Sequence, residues 1–143
     1  NQATVHGVAQ SFRLPEGAAV EAVGLFCALR GPAALSMPEL RVQVCADGDE
    51  APDLERVLAE VAIPATSFER EPRYQWGYAR LEPALKLEAG ETHWLYAPNA
   101  SGADGSYVWR VTGDGSTYPD GHAWSCRYDY EKIDWVFRLL RRK

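Results

Sequence analysis

The feature that most constrains this chain is a succession of short apolar runs with period two, each closed by Gly, Pro or Asp. In residues 20–29, Val23, Leu25, Cys27 and Leu29 share one face and Gly24, Phe26 and Ala28 the other. Both faces are poor in polar groups, which predicts a central strand. Gln10 to Leu14 reads as a first strand stopped at Pro15-Glu16-Gly17. Leu40, Val42 and Val44 alternate with Arg41, Gln43 and Cys45, a strand with one wet face. The segment 47–52 then reads as a polar hairpin loop. Leu54, Val57, Leu58 and Val61 also fit helical spacing, but the loop before them and Pro64 after them favour a strand returning over 57–63.

Further strands are expected at 74–81, 85–87, 93–97, 107–111, 122–127 and 135–140, with loops at 99–105 and 112–121. The total is about eight to ten short strands with turn signals between them, the pattern of an all-β antiparallel β-sandwich, jelly-roll-like in outline. No fixed repeat is present, which argues against a propeller.

The 143 residues suit one domain. Such a chain is long enough to fold without metal or disulfide support. Lys and Arg number 15 against 20 Asp and Glu, a net charge of −5. That balance argues against a general nucleic-acid binder, which needs a basic surface to displace counterions. No run approaches the ~20 apolar residues of a membrane span, so a soluble domain is expected. The chain opens Asn1-Gln2-Ala3 without an initiator Met, and excision from a larger protein is the reading adopted. Cys27, Cys45 and Cys126 show no zinc spacing, and an odd count leaves a free thiol. Asn99-Ala100-Ser101 fits a glycosylation sequon, a triplet common by chance.

Signals for catalysis are weak. His6, His93 and His122 sit in no metal-binding spacing, and there is no nucleophile elbow or phosphate-cradling glycine loop. Cys126 and His122 on one strand would lie roughly 13 Å apart, too far for proton transfer. A non-enzyme is expected, with no cofactor. Asp47, Asp49, Glu50 and Asp53 are ligands of the type calcium takes, but they match no EF-hand, and a solvated turn is preferred to a structural calcium site.

The aromatic distribution carries the functional signal. All five Trp and all seven Tyr lie between Tyr74 and Trp135. Such side chains pair an apolar body with a polar handle, and their flat faces suit the C–H faces of sugar rings. Tyr74, Trp76, Tyr78 and Arg80 fall on one strand face, opposite Gln75, Gly77, Ala79 and Leu81. If Ala79 and Leu81 point to the core, Trp76 and Tyr78 form an exposed platform; the competing reading puts both rings inside. A second constellation joins Trp109 to Tyr118, Asp120, His122 and Trp124 at a sandwich edge, with at least one tryptophan expected in the core. The candidate ligand-binding set is therefore Trp76, Tyr78, Trp109, Tyr118, Asp120, His122 and Trp124. The basic end from Arg138 to Lys143 reads as a solvated tail.

Several segments carry a resemblance. They are Val8-Ala9-Gln10-Ser11-Phe12 with Leu14-Pro15-Glu16-Gly17, and Leu40-Arg41-Val42-Gln43-Val44 with its Asp-Gly hairpin and Val57-Leu58-Ala59. Leu85-Lys86-Leu87-Glu88-Ala89-Gly90-Glu91-Thr92-His93-Trp94-Leu95 and Asp134-Trp135-Val136-Phe137-Arg138-Leu139 complete it. Together they cover most of the chain, and it resembles the β-sandwich accessory domains of secreted bacterial glycoside hydrolases and surface proteins, some of which are carbohydrate-binding modules. The segment 128–132 departs from that pattern, lacking the Gly/Ser-rich hairpin usual before the closing strand. The resemblance implies a monomeric, non-catalytic module that binds a glycan or polysaccharide beside a neighbouring catalytic domain, secreted or at a bacterial cell surface. The alternative is a structural spacer with no ligand of its own.

Overall fold

The computed structural model describes residues 6–31, 37–101, 105–110, 123–125, 129–130 and 136–142. Its strands are β1 (His6–Arg13), β2 (Ala18–Arg30), β3 (Leu40–Asp47), β4 (Pro52–Ile63), β5 (Gln75–Leu87), β6 (Thr92–Ser101), β7 (Ser106–Trp109), β8 (Ala123–Ser125), β9 (Asp129–Tyr130) and β10 (Phe137–Arg142). The architecture is an all-β antiparallel sandwich of two four-stranded sheets. In the first sheet β2 is central: β5 lies on one side, while β10 and β7 follow each other along the other. In the second sheet the order is β4-β3-β6-β1, with the short β8 and β9 continuing from β1.

The alternation in β2 explains its place. Val23, Leu25, Cys27 and Leu29 all point between the sheets and are buried. They meet Leu40, Val42 and Val44 of β3, Phe12 of β1 and Leu95 and Ala97 of β6 in one core. Each such aliphatic or aromatic side chain gains about 1.5–3 kcal/mol on full burial. A smaller cluster of Ala9, Cys45 and Trp94, backed by Tyr96, forms away from this core. There the indole N–H of Trp94 donates to Asp47 Oδ1 at 2.9 Å. This cluster closes the far end of the β3 face that alternation predicts to be wet, where Cys45 follows Arg41 and Gln43 on one face and stands opposite Trp94 of β6.

Three sequence expectations change, and one that had a helical competitor holds. Residues 74–81 and 85–87 are one strand, β5, whose register against β2 shifts between Val20 and Ala22. The loop expected from residue 99 begins later, since β6 runs to Ser101. Asn99 is held there by both ends of its amide, accepting from the Arg41 N–H and donating to the Glu39 carbonyl. The basic C-terminal run is strand rather than tail as far as Arg142, paired with β2. Segment 57–63 is strand, as its loop and proline require, and forms part of edge strand β4.

Residues 49 and 50 make the β3–β4 turn. Both have φ of 68°, and the Gly48 N–H bonds to the Ala51 carbonyl at 2.7 Å. That is the left-handed pair a two-residue hairpin of the right twist requires. Cys27 and Cys45 are free and buried, one in each cluster. Burial holds the Cys27 thiol far above its ordinary range and raises that of Cys45 to about 11.

Candidate functional site

The solvent face of the first sheet carries the site. Gly77, Ala79 and Leu81 of β5 are buried on the core side, so strand alternation sends Trp76, Tyr78 and Arg80 outward. Register aligns these with neighbours across the sheet. Trp76 lies opposite Phe26, Tyr78 opposite Gly24 and Arg80 opposite Ala22. On the far side of β2, Arg138 of β10 also lies opposite Gly24.

Gly24 shapes this row. A Cβ added there would stand 2.5 Å from a ring carbon of Tyr78. The absent side chain lets the Tyr78 ring lie across β2, where its hydroxyl accepts from Arg138 at 2.9 Å. The neighbouring rings form a ladder. Tyr74 and Phe26 stack with centroids 5.7 Å apart, Phe26 and Trp76 lie 5.2 Å apart, and Trp76 and Tyr78 lie 6.1 Å apart with planes 19° from parallel. Two guanidinium groups cover part of it. Arg138 stands 3.9 Å from the centre of the Trp76 ring system, and Arg110 stands 5.1 Å from that of Tyr74. Each cation–π contact contributes about 0.5–1 kcal/mol at an exposed site, and each aromatic pair about 0.5–1.5 kcal/mol. The ladder is thus held in shape without a ligand. Tyr78 remains 39% exposed, and Trp76 is partly exposed.

The backbone of Phe26, in the middle of the ladder, is bonded at both its N–H and its carbonyl. The Phe26 N–H donates to the Val136 carbonyl, the Arg110 N–H donates to the Phe26 carbonyl, and the Val136 N–H donates to the Arg110 carbonyl. Over β2 a ligand meets side chains, whereas β5, which among the described residues pairs only with β2, borders the platform as a strand edge.

The sequence-derived candidates divide. Trp76 and Tyr78 share the platform. Trp109 is only 5% exposed: it lies in the main core and donates its indole N–H to the Val136 carbonyl at 2.6 Å. It has no face open to a ligand and instead anchors the start of β10 beneath the platform. Tyr118, Asp120 and His122 lie outside the described residues. Trp124 is placed by its backbone on β8, opposite Ala9 of β1, on the other sheet from Trp76.

Phe26, Arg110 and Arg138 complete the platform and were not among the candidates. Phe26 had a signal, standing on the face of β2 opposite Val23 and Leu25. The two arginines had none, because cross-strand register alone brings them to the rings.

Other chemistry is sparse among the described residues. No group of three His, Cys, Asp or Glu side chains converges as a metal site. In the acidic hairpin, Asp47 accepts from Trp94 and Asp53 accepts from the Glu55 N–H. His93 is buried on β6, its Nε2 3.9 Å from Glu91. A cleft of about 600 Å³ runs between the edges of β4 and β5, lined by Leu58, Val61, Leu81, Pro83 and Leu85 together with Arg80 and its acidic neighbours.

The chain matches no protein-family model and no curated protein. What stands of the expected resemblance is the architecture, an all-β two-sheet sandwich domain.

Proposed function

We propose that this domain is a non-catalytic carbohydrate-binding module, and that it holds an attached enzyme of a bacterial secreted or cell-surface protein against a glycan. The observation that carries this reading is the open ladder of Tyr74, Phe26, Trp76 and Tyr78 on one sheet face, with Trp76 and Tyr78 nearly parallel. Residues 74 to 78 span about 13 Å of strand, room for a short oligosaccharide rather than a single ring. Stacking of C–H faces on the rings supplies contact area, and Arg138, Arg110 and the Tyr78 hydroxyl supply polar direction. The rings already touch one another, so little freedom is lost when a ligand settles on them. The site is shallow, and weak single-site binding is expected.

The test is a panel of polysaccharides in affinity electrophoresis and calorimetry. Trp76→Ala and Tyr78→Ala should abolish or strongly weaken binding while leaving the unfolding transition cooperative. A folded pair of variants that binds as the parent does removes this site from the proposal.

One observation favours the spacer reading. Leu54, Val57 and Leu58 are exposed on edge strand β4, beside the β4–β5 cleft. An apolar edge of this kind suits a neighbouring domain. Substituting Leu54 and Leu58 by Ser should leave glycan binding intact in the module reading.

A further inference from the structure

The platform is not a bare aromatic shelf, and its cations narrow the ligand. Arg138 lies directly over Trp76, so a sugar approaching that ring meets a guanidinium first. Arg110 stands likewise over Tyr74. Among the described residues neither arginine has a carboxylate within ion-pair reach, whereas Arg30, Arg41, Arg73 and Arg80 each do. A guanidinium lying on a ring is oriented and weakly hydrated, and Arg138, which gives one N–H of Nη1 to the Tyr78 hydroxyl, has further N–H groups to offer a planar anion. Tyr74 and Trp76 are two residues apart on one strand face, about 7 Å. Consecutive units of an extended chain would then meet consecutive cations.

We infer that the platform selects acidic glycans: Arg138 and Arg110 bind the carboxylates of uronate units while the sugar rings lie along Tyr78, Trp76 and Tyr74. This rests on the glycan-binding reading above and names its ligand class. The overall charge of −5 disfavours strongly anionic glycans unless a local basic patch intervenes, and Arg138 and Arg110 form such a patch. Screening reduces charges to local influence beyond about 8 Å at physiological salt, so two contacting guanidinium groups outweigh distant carboxylates. An acidic peptide adding to the outer edge of β5, which among the described residues pairs only with β2, is the competing occupant that poly-L-glutamate tests.

The experiment compares polygalacturonate, alginate and hyaluronate with their carboxyl-esterified forms, with neutral xylan and mixed-linkage glucan, and with poly-L-glutamate. The whole chain is used, with Arg138→Gln, Arg138→Lys and Arg110→Gln variants, and with Arg56→Gln on β4 as a control. At least one uronate polymer should bind. Esterification and Arg138→Gln should each weaken binding about tenfold or more, the scale of one lost charge-assisted contact. Arg138→Lys should restore it only in part, and Arg56→Gln should leave it unchanged. Three results overturn the inference but leave the glycan-binding reading standing: neutral polymers bound as well as acidic ones, esterified forms bound as well as free acids, or uronate binding indifferent to Arg138→Gln. Equal binding of poly-L-glutamate overturns it in favour of an acidic protein partner. Binding to none of the polymers overturns the inference and the underlying reading together.

Discussion

Gly24→Ala tests the geometry of the platform without touching an aromatic residue. The added methyl would sit 2.5 Å from the Tyr78 ring, well inside contact distance, and the ring is the part able to move. Displacing it breaks the Arg138–Tyr78 hydrogen bond, which contributes about 0.5–1.5 kcal/mol. It also separates Tyr78 from Trp76, a contact of about 0.5–1.5 kcal/mol. Against this, alanine in a strand is favoured over glycine by roughly 0.5–1 kcal/mol. The net loss should be about 1 kcal/mol, read as a lower urea midpoint with an unchanged slope. The decisive comparison is a double-mutant cycle with Tyr78→Ala. With the ring already gone, Gly24→Ala should be neutral or stabilising. A Gly24→Ala cost that is equal in both backgrounds would falsify the account of Gly24 as the seat of the Tyr78 ring.

Three other outcomes are expected. Gly77→Ala places a methyl 2.4 Å from the Phe68 ring and 2.7 Å from Ile63 inside the core, so it should cost about 1–3 kcal/mol by overpacking while sparing the proposed glycan site on the opposite face of β5; a neutral urea melt would contradict this. Glu50→Gly should stabilise by about 0.5–1 kcal/mol, because residue 50 holds φ of 68° in the hairpin turn, and a fall in midpoint counts against the turn assignment. The Arg30 guanidinium, bonded to both oxygens of Glu71, holds that carboxyl below its usual range, and Gln43 with Arg41 does the same for Glu60. Folded-state values below the unfolded ones mean stability that is present above about pH 4.3 and lost as pH falls through the depressed values. Glu71→Gln should therefore flatten the acid limb of the stability curve, and high salt should shrink the difference; an acid limb identical in the two proteins is the contrary result.

Two kinds of information meet in this molecule. Strand identity lay in local pattern. Val23, Leu25, Cys27 and Leu29 had to share a buried face because side chains alternate across a pleated backbone, and the low polarity of both faces of β2 placed it in mid-sheet. The same alternation put Trp76 and Tyr78 on one face, and once Ala79 and Leu81 took the core side, that face was solvent. Where a pattern broke, the sequence was ambiguous. The alternation breaks at 82–84, where two strands were expected, but one strand spans the break, and Asn99 had the composition of a loop while its amide ties two segments together.

The partners of each ring belonged to the tertiary structure alone. Arg138 follows Trp76 by 62 residues, and nothing in either segment states that β10 pairs with β2 one strand away from β5. Register is fixed only when two apolar faces close on a shared core, since a slip of one residue would turn every side chain of a strand to the other side. That closure buried Trp109 and left Trp76 partly open, although both are tryptophans on alternating strands. The sequence determined a sandwich and one aromatic face; packing decided which rings stayed in solvent and set two arginines over them, because burial is a property of the assembled sheets and not of any single strand.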